Sequence, residues 1–210
     1  MKILLSGFEP FGGAAINPTE RLVKDIANVM FENVEIRTVL LPVHYDECAA
    51  RIIEEMRDFK PDAVISCGLY AGRSAVTPER IAVNVKDTMA EDPVPDNKGT
   101  KPVDQPINPE GPDGLFTRLP IREIVNRLLE QGIPAFISNT AGTYICNNTM
   151  YGVLDYIRRN NLSTTAGFIH FPASTEMALD KPTLPTLSHD TMLQALRIII
   201  QTTIEGELQK

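Results

Sequence analysis

Residues 138–148, with the sequence SNTAGTYICNN, contain the change from strand to helix around which we expect the fold to be built. The segment Pro134–Ser138 is an apolar run short enough for a buried strand, and apolar positions from Met150 to Ile157 recur with helical spacing. Cys146 therefore lies at or near a helix start, where unpaired backbone N–H groups and the helix dipole favour a thiolate over a thiol. This position makes Cys146 a candidate nucleophile.

The rest of the chain alternates between strand and helix in the same way. Further strands are predicted at residues 2–6, 34–43, 62–67, 81–85 and 165–171. Helices are predicted after an N-cap at Thr19 and at residues 45–59, 119–131, 146–160 and 190–204. This order predicts an α/β fold, namely a single-domain, three-layer α/β/α sandwich with a mostly parallel, twisted sheet.

Composition limits the partners and the setting of the chain. Its 210 residues, 43% of them hydrophobic, fit one catalytic domain over residues 1–210. The net charge of −7 opposes binding to nucleic acid or to an anionic membrane surface. No apolar run approaches the roughly 20 residues that span a bilayer, and Ile3–Leu5 is too short for an export signal. Three widely spaced cysteines favour a reducing cytoplasm over a disulfide scaffold.

Two segments interrupt the alternation. The first, Gly7–Gly13 (GFEPFGG), follows the first strand, where α/β domains commonly build a ligand site. Its Phe8 and Phe11 either fill the core or line a small apolar pocket. A phosphate cradle is not expected, since the Lys-Ser/Thr ending of a P-loop is absent. The second segment, at about residues 87–116, is rich in proline and is typical of lids, binding loops or subunit contacts.

No metal or other cofactor is expected. His44 and Cys48 are four residues apart and could share a metal ion, but no second pair of ligands accompanies them. We therefore interpret Cys48, and also Cys67 within its apolar run, as small core residues.

Two further residues could complete a nucleophilic site with Cys146. His170 ends an apolar strand, where it is either a hydrogen-bonded core residue or a base at the sheet edge that gathers the strand ends. A base of this kind works best when a third group holds its other ring nitrogen. Glu79 follows another Gly-rich loop and is a reasonable orienting carboxylate, which gives the chain order Glu, Cys, His.

Four separated segments point to a known family: SGFEPFGG with Asn17-Pro18, TPERIAVN, SNTAGTYICN and GFIHFP. In this order and spacing they resemble the type I pyroglutamyl peptidases, also called pyrrolidone carboxyl peptidases, over essentially the whole chain. These are cysteine peptidases that remove an N-terminal 5-oxoproline from peptides. The resemblance implies N-terminally pyroglutamylated peptides as substrates and a homo-oligomer, either a dimer or a tetramer.

The resemblance also implies roles for individual residues. Cys146 would be the nucleophile, His170 the general base and acid, and Glu79 the residue that orients His170. The implied substrate-binding residues, with Phe8 and Phe11 around the flat pyrrolidone ring, are Phe8, Phe11, Leu69, Val94, Tyr144 and Ile145.

The chain departs from the family pattern at two places. Leu69 stands where many members have Gln, and Asp92-Pro93-Val94 stands where many have Ala-Arg-Ile. Without that Arg, the oxyanion would depend on backbone N–H groups around Cys146. Two alternatives stay open: a cysteine amidase acting on another small amide, and a small-ligand binding domain in which Cys146 only packs.

Overall fold

A computed structural model describes residues 1–88 and 94–208. The strands are β1 (Lys2–Phe8), β2 (Glu35–Leu41), β3 (Ala63–Leu69), β4 (Thr77–Pro78), β5 (Ile81–Val83), β6 (Gly114–Phe116), β7 (Thr165–Phe171), β8 (Ala173–Ser174) and β9 (Thr186–Leu187). The helices are α1 (Pro18–Ile26), α2 (Cys48–Phe59), α3 (Ile121–Glu130), α4 (Ile145–Arg159) and α5 (His189–Leu208), and a short 3₁₀ helix covers Thr175–Ala178.

The main sheet has five strands in the order β2-β1-β3-β7-β4. The first four are parallel to one another, and β4 runs antiparallel to β7 at the edge. All seven residues of β3 and of β7 are buried, as expected for central parallel strands that are covered on both faces. The prediction of a mostly parallel sheet is confirmed.

Helices cover both faces of this sheet. Helices α1, α3 and α5 pack against one face, where Leu22, Ile124 and Leu196 are fully buried. Helices α2 and α4 pack against the other face through residues such as Ile52 and Ile157. The fold is therefore the predicted three-layer α/β/α sandwich. No helix within the described ranges is long and apolar enough to cross a membrane.

The segment 134–138 is not the regular buried strand that its apolar run predicts. It lies beside β4 and forms only isolated parallel bridges, from Ala135 to Val76 and from Ser138 to Glu79. Phe136 is 49% exposed. Backbone bonds join Val76 to Pro134 and Phe136, and Ser138 to Pro78 and Arg80, but Pro78 has no N–H to donate to the Phe136 carbonyl, so the ladder is interrupted between the two bridges.

The first helix begins earlier than predicted, because Asn17 rather than Thr19 is its N-cap. The Asn17 side-chain oxygen accepts a hydrogen bond from the Thr19 N–H at 3.1 Å, and Pro18 occupies the first helical position, which suits proline. The Thr19 hydroxyl accepts from the Phe8 N–H at 3.1 Å. These bonds fix the loop between β1 and α1.

Other boundaries differ from the predictions at element ends. Strands β1 and β3 continue beyond residues 6 and 67 to Phe8 and Leu69, because the ladder with neighbouring strands carries through their glycines. Helix α2 begins at Cys48, and α5 continues to Leu208. Strand β5 ends at Val83 rather than at residue 85, and its fully buried residue is Ala82, between the half-buried Ile81 and Val83.

The described parts of the proline-rich excursion pack against the rest of the chain. The Asp96 carboxylate accepts from the backbone N–H groups of Tyr45, Lys98 and Thr100. Further along, the Tyr151 hydroxyl donates to the carbonyl of Pro112 at 2.7 Å. The first of these contacts holds residues 94–100 near the start of α2, on the same side of the sheet as α4.

Candidate active site

Cys146 is the second residue of α4, and Tyr144 is the N-cap. A Cβ atom built on Gly68 would lie 3.0 Å from the Cys146 Sγ and 2.7 Å from the Phe168 ring. The thiol therefore lies against the carboxyl end of β3, in space that any side chain at position 68 would occupy. Cys146 is partly exposed, whereas Cys48 and Cys67 are buried.

His170 is the penultimate residue of β7 and pairs in register with Gly68 of β3 and Thr77 of β4. Only 2% of the residue is exposed. Its ring lies 4.9 Å from the Phe168 ring and 5.3 Å from the Tyr70 ring, between centroids, and the pair with Tyr70 is T-shaped. The strand register thus places His170 beside Gly68, and the Cys146 sulfur lies against the same glycine.

Glu79 follows β4 and is 0% exposed. Its backbone N–H donates to the Phe168 carbonyl at 2.9 Å, which fixes the residue beside β7. The Glu79 Oε1 lies 2.7 Å from the His170 Nδ1. A carboxylate at this distance holds the proton on Nδ1 and leaves the lone pair on Nε2, as the orienting group of a nucleophilic triad does.

Arg73 joins this cluster and was missed as a site residue by the sequence reasoning. Its guanidinium donates to the Glu79 Oε1 at 3.0 Å and to the Thr77 hydroxyl at 2.7 Å. It also stacks on the Tyr70 ring, 3.7 Å from the centroid. The sequence feature that could have marked Arg73 as a site residue is its position in the Gly-rich loop after β3, at the edge of the sheet where ligand sites form.

Burial sets the charge state of the nucleophile and base. It raises the pKa of the Cys146 thiol, and the nearby Cys48 and Glu79 raise it further. The backbone at the helix start lowers this pKa but is outweighed, so the expected resting thiolate is wrong. Burial also lowers the pKa of His170 against the opposing effect of Glu79. Both directions favour a thiol and a neutral imidazole over an ion pair in the resting site.

A narrow cavity of about 20 Å³ opens beside the thiol. It is lined by Phe8, Phe11, Asn17, Val43, Leu69, Tyr144, Ile145 and Cys146. The Asn17 amide is occupied within the protein, since it accepts from Thr19 and donates to the Glu9 carbonyl at 3.1 Å. The lining offered to a ligand is therefore largely apolar and aromatic, as in many small-molecule sites.

Tyr144 connects this cavity to the excursion. Its ring lies 6.2 Å from the Phe11 ring and 5.6 Å from the Tyr45 ring. Its hydroxyl donates to the Pro95 carbonyl at 2.9 Å, and burial raises its pKa to about 12. The residue that caps the helix of the nucleophile therefore also forms a wall of the cavity.

The structure thus places five of the six predicted substrate-binding residues, namely Phe8, Phe11, Leu69, Tyr144 and Ile145, around one cavity with Cys146. Val94 is 47% exposed and lies near the rim, where a Cβ atom built on Gly12 would be 3.7 Å from it. Asp92 and Pro93, where the family pattern predicts the missing Arg, lie outside the described residues. Asn17 and Val43 also line the cavity and were not predicted.

His44 and Cys48, the pair that could share a metal ion by its spacing, contact other side chains of the protein. The Cys48 sulfur accepts from the Asn148 side chain at 3.2 Å, and the His44 Nε2 lies 3.6 Å from the Asp96 carboxylate. Within residues 1–88 and 94–208, no group of three or more His, Cys, Asp and Glu side chains could hold a metal ion.

The chain matches the family model described as pyroglutamyl peptidase over residues 1–206. It is 40% identical over 206 residues to pyrrolidone-carboxylate peptidase 1 of Caldanaerobacter subterraneus, covering 98% of this chain and 99% of the relative. It is 42% identical over 201 residues to the pyrrolidone-carboxylate peptidase of Thermoanaerobacter pseudethanolicus, covering 96% and 97%.

Solved structures agree with these matches. A mutant pyrrolidone carboxyl peptidase from the hyperthermophile Pyrococcus furiosus superposes with a TM-score of 0.93 at 40% identity, covering 98% of this chain and 99% of that one. Pyroglutamyl peptidase I from Bacillus amyloliquefaciens gives 0.91 at 38% identity, covering 96% and 94%.

Proposed function

The chain belongs to the pyroglutamyl peptidase family, and we propose that Cys146, His170 and Glu79 carry out the reaction of a cysteine exopeptidase of this kind. The reaction is hydrolysis of the amide bond that follows an N-terminal pyroglutamyl residue of a peptide. The similarity of the whole chain to peptidases of this name favours this function over an amidase acting on another small amide.

One observation carries the assignment of residues. The buried Glu79 carboxylate lies 2.7 Å from the His170 Nδ1, and the strand position paired with His170 is the glycine that the Cys146 sulfur touches. A base with its second nitrogen held by a carboxylate, next to a partly exposed thiol, is the arrangement that nucleophilic catalysis requires.

The reaction starts from the neutral pair. When substrate binds, the His170 Nε2 takes the proton of the Cys146 thiol, and the sulfur attacks the carbonyl carbon between pyroglutamate and the next residue. The Glu79 carboxylate stabilises the imidazolium that forms, because it already accepts the Nδ1 proton. Burial disfavours a Cys146 thiolate and a His170 imidazolium as separate charges. The two ions therefore form mainly during the attack itself, as electron density moves from the sulfur to the carbonyl oxygen.

Collapse of the tetrahedral intermediate breaks the C–N bond. His170 gives its proton to the leaving amine, and the pyroglutamyl group remains on Cys146 as a thioester. His170 then removes a proton from water, whose oxygen attacks the thioester carbonyl carbon. The C–S bond breaks as the tetrahedral intermediate collapses, and His170 returns the proton to the Cys146 sulfur. The products are free pyroglutamate and the regenerated thiol.

Backbone groups at the start of α4 would hold the developing oxyanion. The helix has Tyr144 as its N-cap, and within the described ranges no side chain caps it. Its first backbone N–H groups are therefore available to an oxygen near Cys146, at the positive end of the helix dipole. This arrangement supports an oxyanion site that does not require an arginine.

The cavity explains the choice of acyl group. Pyroglutamate has no free α-amine, because that nitrogen is part of the lactam ring. A flat neutral ring suits the apolar, aromatic lining that Phe8, Phe11 and Tyr144 form, whereas an ordinary N-terminal ammonium would lose its hydration there without a carboxylate partner.

Substitution of the nucleophile tests the function. Cys146→Ala should abolish release of a fluorophore from a pyroglutamyl amide, whereas Cys67→Ala, a matched change at a buried thiol, should keep it. Aminoacyl amides with a free amine should not be cleaved. Iodoacetamide should modify Cys146 rather than the buried Cys48 and Cys67, and 5-oxoproline should protect it. Wild-type turnover by Cys146→Ala would refute the proposal.

We propose further that residues 1–210 act as one catalytic domain and assemble as a homo-oligomer, a dimer or a tetramer, in the reducing cytoplasm. Exposed apolar side chains on the excursion, Val103 at 59% and Phe116 at 67%, support a subunit contact there. Three free cysteines support a reducing compartment. Light scattering at micromolar concentration tests the assembly, and a monomeric mass would contradict it.

A further inference from the structure

We infer that Arg73 is a positioning residue of this site, which holds the Glu79 carboxylate in place and compensates its charge so that His170 can act as a base. The inference rests on the proposed function and adds a fourth side chain to the proposed trio. Arg73 acts through Glu79 and does not itself contact the thiol in any described interaction.

The geometry around Glu79 gives the first support. One oxygen, Oε1, accepts from both the His170 Nδ1 at 2.7 Å and the Arg73 guanidinium at 3.0 Å. The other oxygen, Oε2, is buried and has no hydrogen-bond partner among the described residues. Arg73 is therefore the cation that compensates a carboxylate with 0% exposure. Without it, the burial of this charge would be strongly unfavourable.

Arg73 is itself held rigidly. The guanidinium donates to the Thr77 hydroxyl at 2.7 Å and stacks on the Tyr70 ring at 3.7 Å, and only 17% of the side chain is exposed. The same Tyr70 ring packs against the His170 ring in a T-shaped arrangement. The four side chains Tyr70, Arg73, Glu79 and His170 thus form a closed set of contacts, which fixes the imidazole from two sides.

The charge of Arg73 also bears on the base. The titratable or charged side chains that act on or contact His170 within the described ranges are Glu79, Arg73 and Tyr70, and the Cys146 sulfur from α4 lies against Gly68, the residue of β3 that pairs with His170. Glu79 favours the imidazolium, and Arg73 opposes it by its positive charge. Arg73 therefore keeps the imidazole neutral, and so able to accept the thiol proton, at pH values where an uncompensated Glu79 would protonate it.

Removal of the charge tests this role. In Arg73→Gln, the acid limb of the kcat/KM profile should move to higher pH by about one unit, because the pKa of His170 rises when a nearby cation is lost. The activity near the acid limb should fall about tenfold for each unit of that shift. Arg73→Lys should restore the position of the limb in part, since it restores the charge but not the planar stack.

Arg80→Gln is the matched control. Arg80 is next to Glu79 in sequence, but its guanidinium donates to Asn139 on the exposed side, so the same change of charge should leave the limb in place. A double variant shows whether Arg73 acts through Glu79. In the Glu79→Gln background, Arg73→Gln should have little further effect on kcat/KM.

The same profile can be measured without substrate, as the rate of Cys146 alkylation by iodoacetamide against pH. If the wild type failed to cleave pyroglutamyl amides but the alkylation limb still moved in Arg73→Gln, the proposed function would be wrong and the role of Arg73 would stand. The role of Arg73 would be overturned if the acid limb of both the kcat/KM profile and the alkylation profile stayed in place in Arg73→Gln. It would also be overturned if the effects of Arg73→Gln and Glu79→Gln on kcat/KM were additive in the double variant. Circular dichroism confirms that each variant compared is folded.

Discussion

Replacement of Glu79 by glutamine tests the proposed role of the buried carboxylate most directly. The change keeps the shape of the side chain and removes its charge, at a position with 0% exposure and a 2.7 Å contact to the His170 Nδ1. A hydrogen bond to a charged group contributes about 1.5–3 kcal/mol, so loss of that term alone should lower kcat/KM about 10- to 150-fold. If the amide also selects the wrong imidazole tautomer, the loss approaches about 10⁴-fold, the size seen for an orienting carboxylate in other triads.

The same substitution should reduce stability, because it leaves Arg73 without its carboxylate partner. Breaking a buried pair costs about 3–5 kcal/mol, which corresponds to a fall in Tm of about 6–20 °C for a chain of this size. The assays are kcat/KM on a pyroglutamyl amide below the unfolding transition and thermal unfolding by circular dichroism. Glu123→Gln, which removes an exposed ion pair with Arg127, is the control and should change neither value appreciably. A folded Glu79→Gln with wild-type kcat/KM would refute the role assigned to Glu79.

Three further predictions follow from the site. Tyr144→Phe removes only the hydroxyl that donates to the Pro95 carbonyl, so KM should rise a few-fold with little change in kcat, and a fall in kcat alone would contradict the positioning role of that bond. Phe8→Ala should raise KM and lower the free energy of unfolding by about 3–5 kcal/mol in denaturant titrations, because the ring is 3% exposed and packs on Phe168 as well as lining the cavity. The acid limb of kcat/KM should lie below the ordinary histidine pKa of about 6.5, because burial lowers the pKa of His170. An acid limb above a pH of about 6.5 would show that the imidazole is not neutral at rest. The contribution of His170 to the free energy of unfolding should fall as the pH drops below about 6.5, because the unfolded chain then binds the proton more readily than the folded chain.

Local physical chemistry allowed much of the fold to be predicted. Apolar runs of strand length and helical spacing depend on neighbours in sequence, and they indicated the order of the main strands and helices. The segment 134–138 was predicted wrongly, because an apolar run does not reveal that the partner strand has a proline, Pro78, at a position where the ladder needs an N–H. The N-cap at Asn17 was missed, although Asn before Pro is itself a helix-start signal.

The sequence by itself determined that Cys146 begins a helix, that His170 ends a strand, and that Phe8 and Phe11 follow the first strand. Only the tertiary structure decided which of these residues meet. Glu79 and His170 are 91 positions apart, and their contact depends on the register between β4 and β7. The neutral state of the thiol and imidazole was also decided there, because burial by distant segments outweighs the helix start that is visible locally. Arg73 could be placed beside Glu79 only once the strands and loops at the sheet edge had been brought together in three dimensions.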